Sequence, residues 1–362
     1  MAWTAPRTWV SGELVTAALF NQHLRDQLLE LRGGGVAIAS QAANDVLYAS
    51  SSTQLARLAA GTSGQFLKTN GSGSAPTWAT VSSPLGVAEG RLTATSGTPV
   101  TVADVSGATS IYYTPYTGNK IALYDGSAWD LFTFTEITIS LSGFTAIKAY
   151  DVFAYNNSGT VTIETVIWTN NTTRATGLVY QDGVLVKSGA TTRRYLGTVY
   201  INAAGGQTED TMVKRYLWNY YNRVSRPLQK LETTDSWTYT TATYRQANGS
   251  TANQVDTCVG WPEALIDLNV IGLAANTIGD NNCTVQVGID EGGTSANDST
   301  VYGAPEIATY NAKAVHANLT KYPAVGFQWW VWVEKSTAIG TTTWYGDGAG
   351  ITQSGIYGSI DA

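Results

Sequence analysis

Charge is what this chain has least of. Only 13% of its 362 residues are Asp, Glu, Lys or Arg, against about a quarter in ordinary soluble domains. Thr, Ser, Asn and Gly must therefore cover the surface. That suits extracellular structural proteins and repeated assemblies, where neutral polar groups pack copy against copy without desolvating charge. The net charge of −6 argues against nucleic acid as a partner, because phosphate binding needs clustered Lys and Arg to release counterions. One mixed stretch, Lys214, Arg215, Tyr216, Trp218, Tyr220, Tyr221, Arg223 and Arg226, alternates cations with rings in the manner of a base-stacking surface. It reads better as a core segment with a solvated edge.

Histidine and cysteine are equally scarce. His23 and His316 fall in opposite ends of the layout, too far apart to share a zinc site, so no metal and no cofactor is expected. Cys258 and Cys283 are expected to remain two free thiols in a reducing compartment. No basic segment followed by an apolar run and cleavage site opens the chain, and no apolar run approaches a membrane span. Synthesis and folding in a cytoplasm are expected, so Asn-x-Ser/Thr triplets such as Asn156 and Asn248 carry no glycan. There is no Gly-x-Ser-x-Gly elbow, no His-Glu-x-x-His and no phosphate loop. The acids are scattered. Asp290 with Glu291, and Asp347 near Trp344 and Tyr345, are the places least unsuited to a carboxylate pair, but each sits among glycines and reads as a turn acid. No catalytic residue is assigned, and the chain is read as a non-enzyme.

What the chain does have is an order of parts. Residues 1–32 are its one strongly helical segment, 33–84 are Gly/Ser-rich and extended, and 85–362 are strands and turns. Ser11 is a plausible N-cap with Glu13 at the positive end of the helix dipole. Gly33-Gly34-Gly35 supplies the stop near Arg32. Ala17, Asn21, Leu24, Leu28 and Leu31 recur at spacings of four and three, the seam of a short coiled coil in which Asn21 would set register and copy number. Two heptads are too few to hold chains together alone.

From Asn44 to Leu58 and from Gly61 to Trp78, two short extended pieces follow, the second ending in a glycine turn and Pro76-Thr77-Trp78. This run resembles the shaft motif of tailed-bacteriophage fibre proteins. The opening Trp3 to Leu31, with Trp9, Ser11-Gly12-Glu13 and Asn21, resembles the N-terminal segment of phage tail and minor virion proteins, and the stretch from Ser188 through Trp218 resembles a tail-fibre module. Together these likenesses extend over residues 1–244. The resemblance implies a virion structural protein, assembled in the host cytoplasm and exposed on the particle as a homotrimeric tail fibre. Its N-terminus would attach to tail or baseplate proteins through Trp3, Trp9, Phe20, Leu24, Leu28 and Leu31, and its C-terminal domains would contact a host-surface glycan or protein.

The body reads as two β-sandwich-like domains, 85–226 and 227–362, the second resembling a jelly roll. Asp125-Gly126 and Asp182-Gly183 mark tight hairpins and Asn156-Asn157-Ser158-Gly159 another turn. Ile137, Ile139 and Leu141 alternate with polar residues, as do Val161, Ile163 and Thr165. Phe327, Trp329, Val331 and Val333 share one strand face and Trp330 and Trp332 the other, so both faces must be covered, the second by a neighbouring subunit, a packed loop or a ligand. Residues 355–360 read as a last strand. Aromatic faces beside amides suit sugar rings, and Trp344, Tyr345 and Asp347 are the expected glycan contacts because they lie in a Gly-rich loop-like segment. Two other roles fit the same layout: a capsid decoration protein or head fibre, and a polysaccharide-degrading tailspike.

Overall fold

The structure, a computed structural model, describes residues 8–25, 28, 38, 40–80, 85–278, 283–292, 303–307, 310–347 and 353–362. It is mainly β, and the chain divides into two units, Met1–Ser82 and Ser83–Ala362.

In the first unit the helix starts later than Ser11. Ser11 and Gly12 form a turn, with Gly12 at φ 84°, a conformation no helix tolerates. Thr16 is the N-cap instead, its hydroxyl accepting from the Leu19 N–H at 3.3 Å. The α-helix Ala17–Phe20 then widens into a π-helix at Asn21–Arg25, which alters the three-and-four spacing of the expected seam. The stretch to Arg32 and the glycine stop lie outside the described residues. Two antiparallel hairpins follow, Val46–Ala49 with Leu55–Leu58 and Gln65–Lys68 with Thr77–Thr80. The indole N–H of Trp78 donates to the Ala59 carbonyl at 2.6 Å, and the ring lies so close to Gly61 that an added Cβ would sit 2.8 Å from it. The Pro-x-Trp therefore ties the second hairpin to the segment that joins the two hairpins. No described residue of this unit is buried.

The second unit carries the cores. A three-stranded antiparallel sheet (Ile137–Ser140, Ser110–Pro115, Gly90–Thr93) faces a larger one built on Ala149–Asn157 and Ala190–Tyr200. Between them lie Leu92, Ile111, Ile139, Val152, Ala154 and Val199. Ser158 and Gly159, at φ 50° and 92°, make a two-residue turn between Asn157 and Thr160, and Asp182 and Gly183, at 52° and 85°, another between Gln181 and Val184. Both are the primed turns that the twist of a hairpin favours. The Asp125-Gly126 hairpin has a four-residue loop instead, because the Asp125 carboxylate accepts from the N–H groups of Ser127 at 2.7 Å and Ala128 at 2.8 Å and holds the chain one turn wider.

A sandwich closes the chain. One sheet places Gly326–Ser336 between Thr284–Glu291 and Gln254–Val259. The other places Ile266–Asn276 between Lys313–Lys321 and the strands Gly355–Asp361 and Thr342–Tyr345. Trp330, Trp332, Val287 and Ile289 from the first meet Leu268, Val270, Val315 and Trp344 from the second.

The division expected at Arg226/Pro227 requires correction. It falls inside the strand Ser225–Leu231, and Lys214–Arg215 pairs in parallel with Gln254–Val259 across it. Phe153, Tyr195 and Trp218 share the sandwich core, so 85–226 and 227–362 form one compact unit. Pro227 looked like a boundary but sits on the outermost strand of its sheet, where a missing N–H costs nothing in the ladder. Its carbonyl accepts from Arg215 Nε and Nη2 at 3.1 and 2.9 Å.

Candidate functional site

The outer face of the second sandwich sheet is set by strand alternation. Val270, Val315 and Ile356 point into the core, so Asn269, His316, Asn318 and Tyr357 point out. Register aligns them: Asn318 stands opposite Asn269, Asn269 opposite Tyr357, and Tyr357 opposite Gln229 of the outermost strand. The result is a straight row of three amides and one phenol ring across four strands. His316 lies one step away in the next row, and Asp267, whose carboxylate accepts from the Thr320 hydroxyl at 3.1 Å, in the row on the other side.

Gly303 and Ala304 raise a wall beside this row. A Cβ at Gly303 would lie 1.9 Å from the Val287 carbonyl oxygen, so a glycine is required for the backbone to come this close. Gln286 Nε2 secures it by donating to the Gly303 carbonyl at 2.6 Å. Wall and sheet enclose an open recess of about 470 Å³ lined by Asn269, His316, Asn318 and Tyr357. Among the described residues none of these four side chains has a hydrogen-bond or ionic partner.

Of the expected glycan contacts, Trp344 is not at the surface. Trp344 is fully buried in the sandwich core on the strand Thr342–Tyr345, its indole N–H donating to the Tyr239 carbonyl at 3.1 Å. The neighbouring glycines suggested a loop, but pairing with Ala274 and Trp237 makes the segment a strand whose alternation aims Trp344 inward. Tyr345 and Asp347 are half-buried. Asp290 and Glu291 are likewise strand residues rather than turn acids: Asp290 is buried and Glu291 pairs with Lys321. The second face of the 326–336 strand is covered from within the chain, by Tyr244 over Val331 and Val333 and by Tyr200 stacked on Phe327 at 4.4 Å. Of the three expected covers, a packed loop of the same chain supplies this one, together with a strand.

The N-terminal candidates are exposed. Trp9 is 43%, Phe20 52%, Leu24 46% and Leu28 56% accessible; Ala17 is exposed and Asn21 half-buried. Trp3 and Leu31 lie outside the described residues.

The cations of the 214–226 stretch are committed internally. Arg215 and Arg226 share Asp210, at 2.7 and 2.9 Å, and all three are buried. Elsewhere two acids converge on one loop. Glu334, fully buried, accepts from Arg245 at 2.8 Å, Trp237 Nε1 at 2.7 Å and the Asn248 N–H at 3.2 Å. Burial outweighs Arg245 and raises its pKa to about 7. Glu232 accepts from Asn253 Nδ2 at 2.6 Å, from the Thr233 and Thr234 N–H groups at 2.9 Å and from Asn248 Nδ2 at 3.3 Å. Against the opposing effect of burial, those hydrogen bonds lower its pKa to about 2. Both carboxylates are saturated by donors that hold the 245–253 loop, so their arrangement is structural. Among the described residues no group of three His, Cys, Asp or Glu side chains is placed to hold a metal, and Cys258 and Cys283 are free and buried. No described helix is long and apolar enough to cross a membrane.

No protein-family profile matches the sequence, and no curated protein does. Among solved structures the chain is similar to that of the infectious bursal disease virus Gx strain, at 9% identity and a TM-score of 0.24 over 71% of this chain and 64% of that one. It is also similar to a glycoside hydrolase family 43 arabinoxylan arabinofuranohydrolase from Bacillus subtilis, at 11% identity and 0.20 over 70% and 64%. An exo-beta-1,3-galactanase from Phanerochaete chrysosporium follows at 9% and 0.13 over 78% and 71%. The chain spans 64% of the length of the first two. Likenesses this slight carry neither fold nor function across.

Proposed function

We propose that this chain is a bacteriophage virion structural protein, a homotrimeric tail fibre that attaches through its N-terminal unit and meets the host surface with its jelly-roll-like C-terminal sandwich. One observation carries the reading: the first unit buries none of its described residues, while the second has extensive cores of its own. Isolated two-stranded hairpins are marginal in water. Leu55, Phe66, Leu67, Phe20 and Leu24 are all exposed, and such a unit gains its stability from other chains. Copies of itself and tail or baseplate proteins are the partners that the resemblance of this segment to phage fibre shafts supplies. The body needs no such help, which suits a head that projects from the particle. Weak contacts at the host surface would then gain from multiple copies through effective concentration, and the role requires no catalysis.

The test is gold labelling of intact particles with antibody raised against residues 231–362, viewed by electron microscopy. Label at the tail tip is the expected result. Label over the head would replace the tail fibre with a capsid decoration protein, and release of reducing ends from host capsule would replace it with a tailspike.

A further inference from the structure

Resting on the reading of this chain as a host-contacting virion protein, we propose that the recess centred on Tyr357 is a binding site for a neutral oligosaccharide. The row Asn318, Asn269, Tyr357, Gln229 crosses four hydrogen-bonded strands; at about 4.8 Å between strands it runs roughly 14 Å, the reach of a short oligosaccharide rather than of one sugar. An amide offers two donors and an acceptor with two lone pairs, which matches vicinal hydroxyls that both donate and accept. Asn269, Asn318, His316 and Tyr357 spend none of this capacity inside the described chain. The Tyr357 ring, 36% accessible in the middle of the row, gives the apolar C–H face of a pyranose a flat surface, with its hydroxyl free for a polar tip.

Charge decides the class of ligand. Among the described residues the lining holds no Lys, Arg, Asp or Glu, so a sulfate, phosphate or uronate would lose hydration and find no permanent counter-charge there. Asp267, one row away, would repel it. An apolar peptide would meet unpaired amides that it cannot satisfy. A neutral, hydroxyl-rich ligand loses nothing of either kind.

The experiment uses the full-length protein and isothermal titration with neutral trisaccharides of glucose, galactose and N-acetylglucosamine, each beside a sulfated or uronate-containing counterpart. Binding of at least one neutral trisaccharide in preference to its anionic counterpart is expected. Tyr357→Ala should weaken it by roughly tenfold, the size of one aromatic contact, and Tyr357→Phe should retain most of it. Asn269→Ala should weaken it as well. Tyr310→Ala, at a 71% exposed site outside the recess, should leave it unchanged. Unaltered melting temperatures of the Tyr357 variants will show that lost binding is not lost folding. No binding of any neutral trisaccharide, preference for the anionic forms, or binding indifferent to a folded Tyr357→Ala would each overturn the site. The two claims fail separately: label over the capsid with intact sugar binding removes the tail-fibre reading alone, and label at the tail tip with no sugar binding removes the site alone.

Discussion

The side-chain amide of Asn219 takes the place of a β-strand for Leu92. Its Oδ1 accepts from the Leu92 N–H at 2.7 Å and its Nδ2 donates to the Leu92 carbonyl at 3.1 Å. Leu92 lies on the edge of the three-stranded sheet, and both residues are buried. Asn222 adds donors only, its Nδ2 donating to the Ala88 and Gly90 carbonyls at 2.7 and 3.0 Å. Asn219→Ala should destabilise the protein by about 2–4 kcal/mol, since it leaves a buried N–H and a buried carbonyl unpaired. Asn219→Asp, which turns the donor into an acceptor facing a carbonyl, should be no better. Urea midpoints of the two variants check this.

Glu334 gives stability a dependence on pH with a definite sign. Its folded pKa of about 7 lies above the ordinary glutamate value of 4.5, so the native state binds the proton more tightly than the unfolded chain does. The stabilisation is complete below about 4.5 and is lost as pH rises through about 7. It amounts to at most about 3 kcal/mol. Glu232, lowered to about 2, acts oppositely, and its contribution disappears as pH falls from about 4.5 toward 2. Denaturant midpoints between pH 5 and 8 should fall in the wild type and flatten in Glu334→Gln.

Trp344 is a core residue, so its removal should cost folding rather than surface contact. Trp344→Ala should lose about 3–5 kcal/mol, read as a drop in melting temperature. The same substitution at half-buried Trp329 should cost less.

Gly260 is required by close packing. A Cβ there would stand 2.1 Å from Tyr195 Oη, 2.5 Å from Thr198 Oγ1 and 2.7 Å from Trp218 Cε3, atoms of a buried network in which Thr198 Oγ1 also donates to Asp151 at 2.7 Å. Gly260→Ala should destabilise by about 1–3 kcal/mol through overpacking, measured by thermal unfolding.

The proposed assembly predicts a division of labour. Full-length protein should sediment as a trimer, and a chain comprising residues 83–362, which carries its own cores, should sediment as a folded monomer. A monomeric full-length protein at micromolar concentration would contradict the homotrimer.

Local signals were legible wherever one residue's own chemistry decides the backbone. Ser158-Gly159 and Asp182-Gly183 accept positive φ, and the alternation through Ile139 and Leu141, both buried, follows from the pleat of one strand. Two-sided burial of 326–336 was equally plain, although its partner was not: Tyr244 is some ninety residues from Val333 in sequence. Glycine neighbours misled the reading of Trp344, because Gly346 allows a close approach to the Thr234 carbonyl rather than marking a terminal loop.

The sequence by itself determined a mainly β chain of low charge, its hairpin turns and the contrast between a thin N-terminal part and an aromatic-rich body, since these follow from residue type and from periods of two to four. Only the tertiary structure decided that 83–362 is one unit, that Asn219 serves as a strand for Leu92, and that Asn318, Asn269, Tyr357 and Gln229 form one row. Those relations join residues about 40 to 130 positions apart, and strand register, which fixes which distant side chains share a face, is set by the packing of the whole sheet.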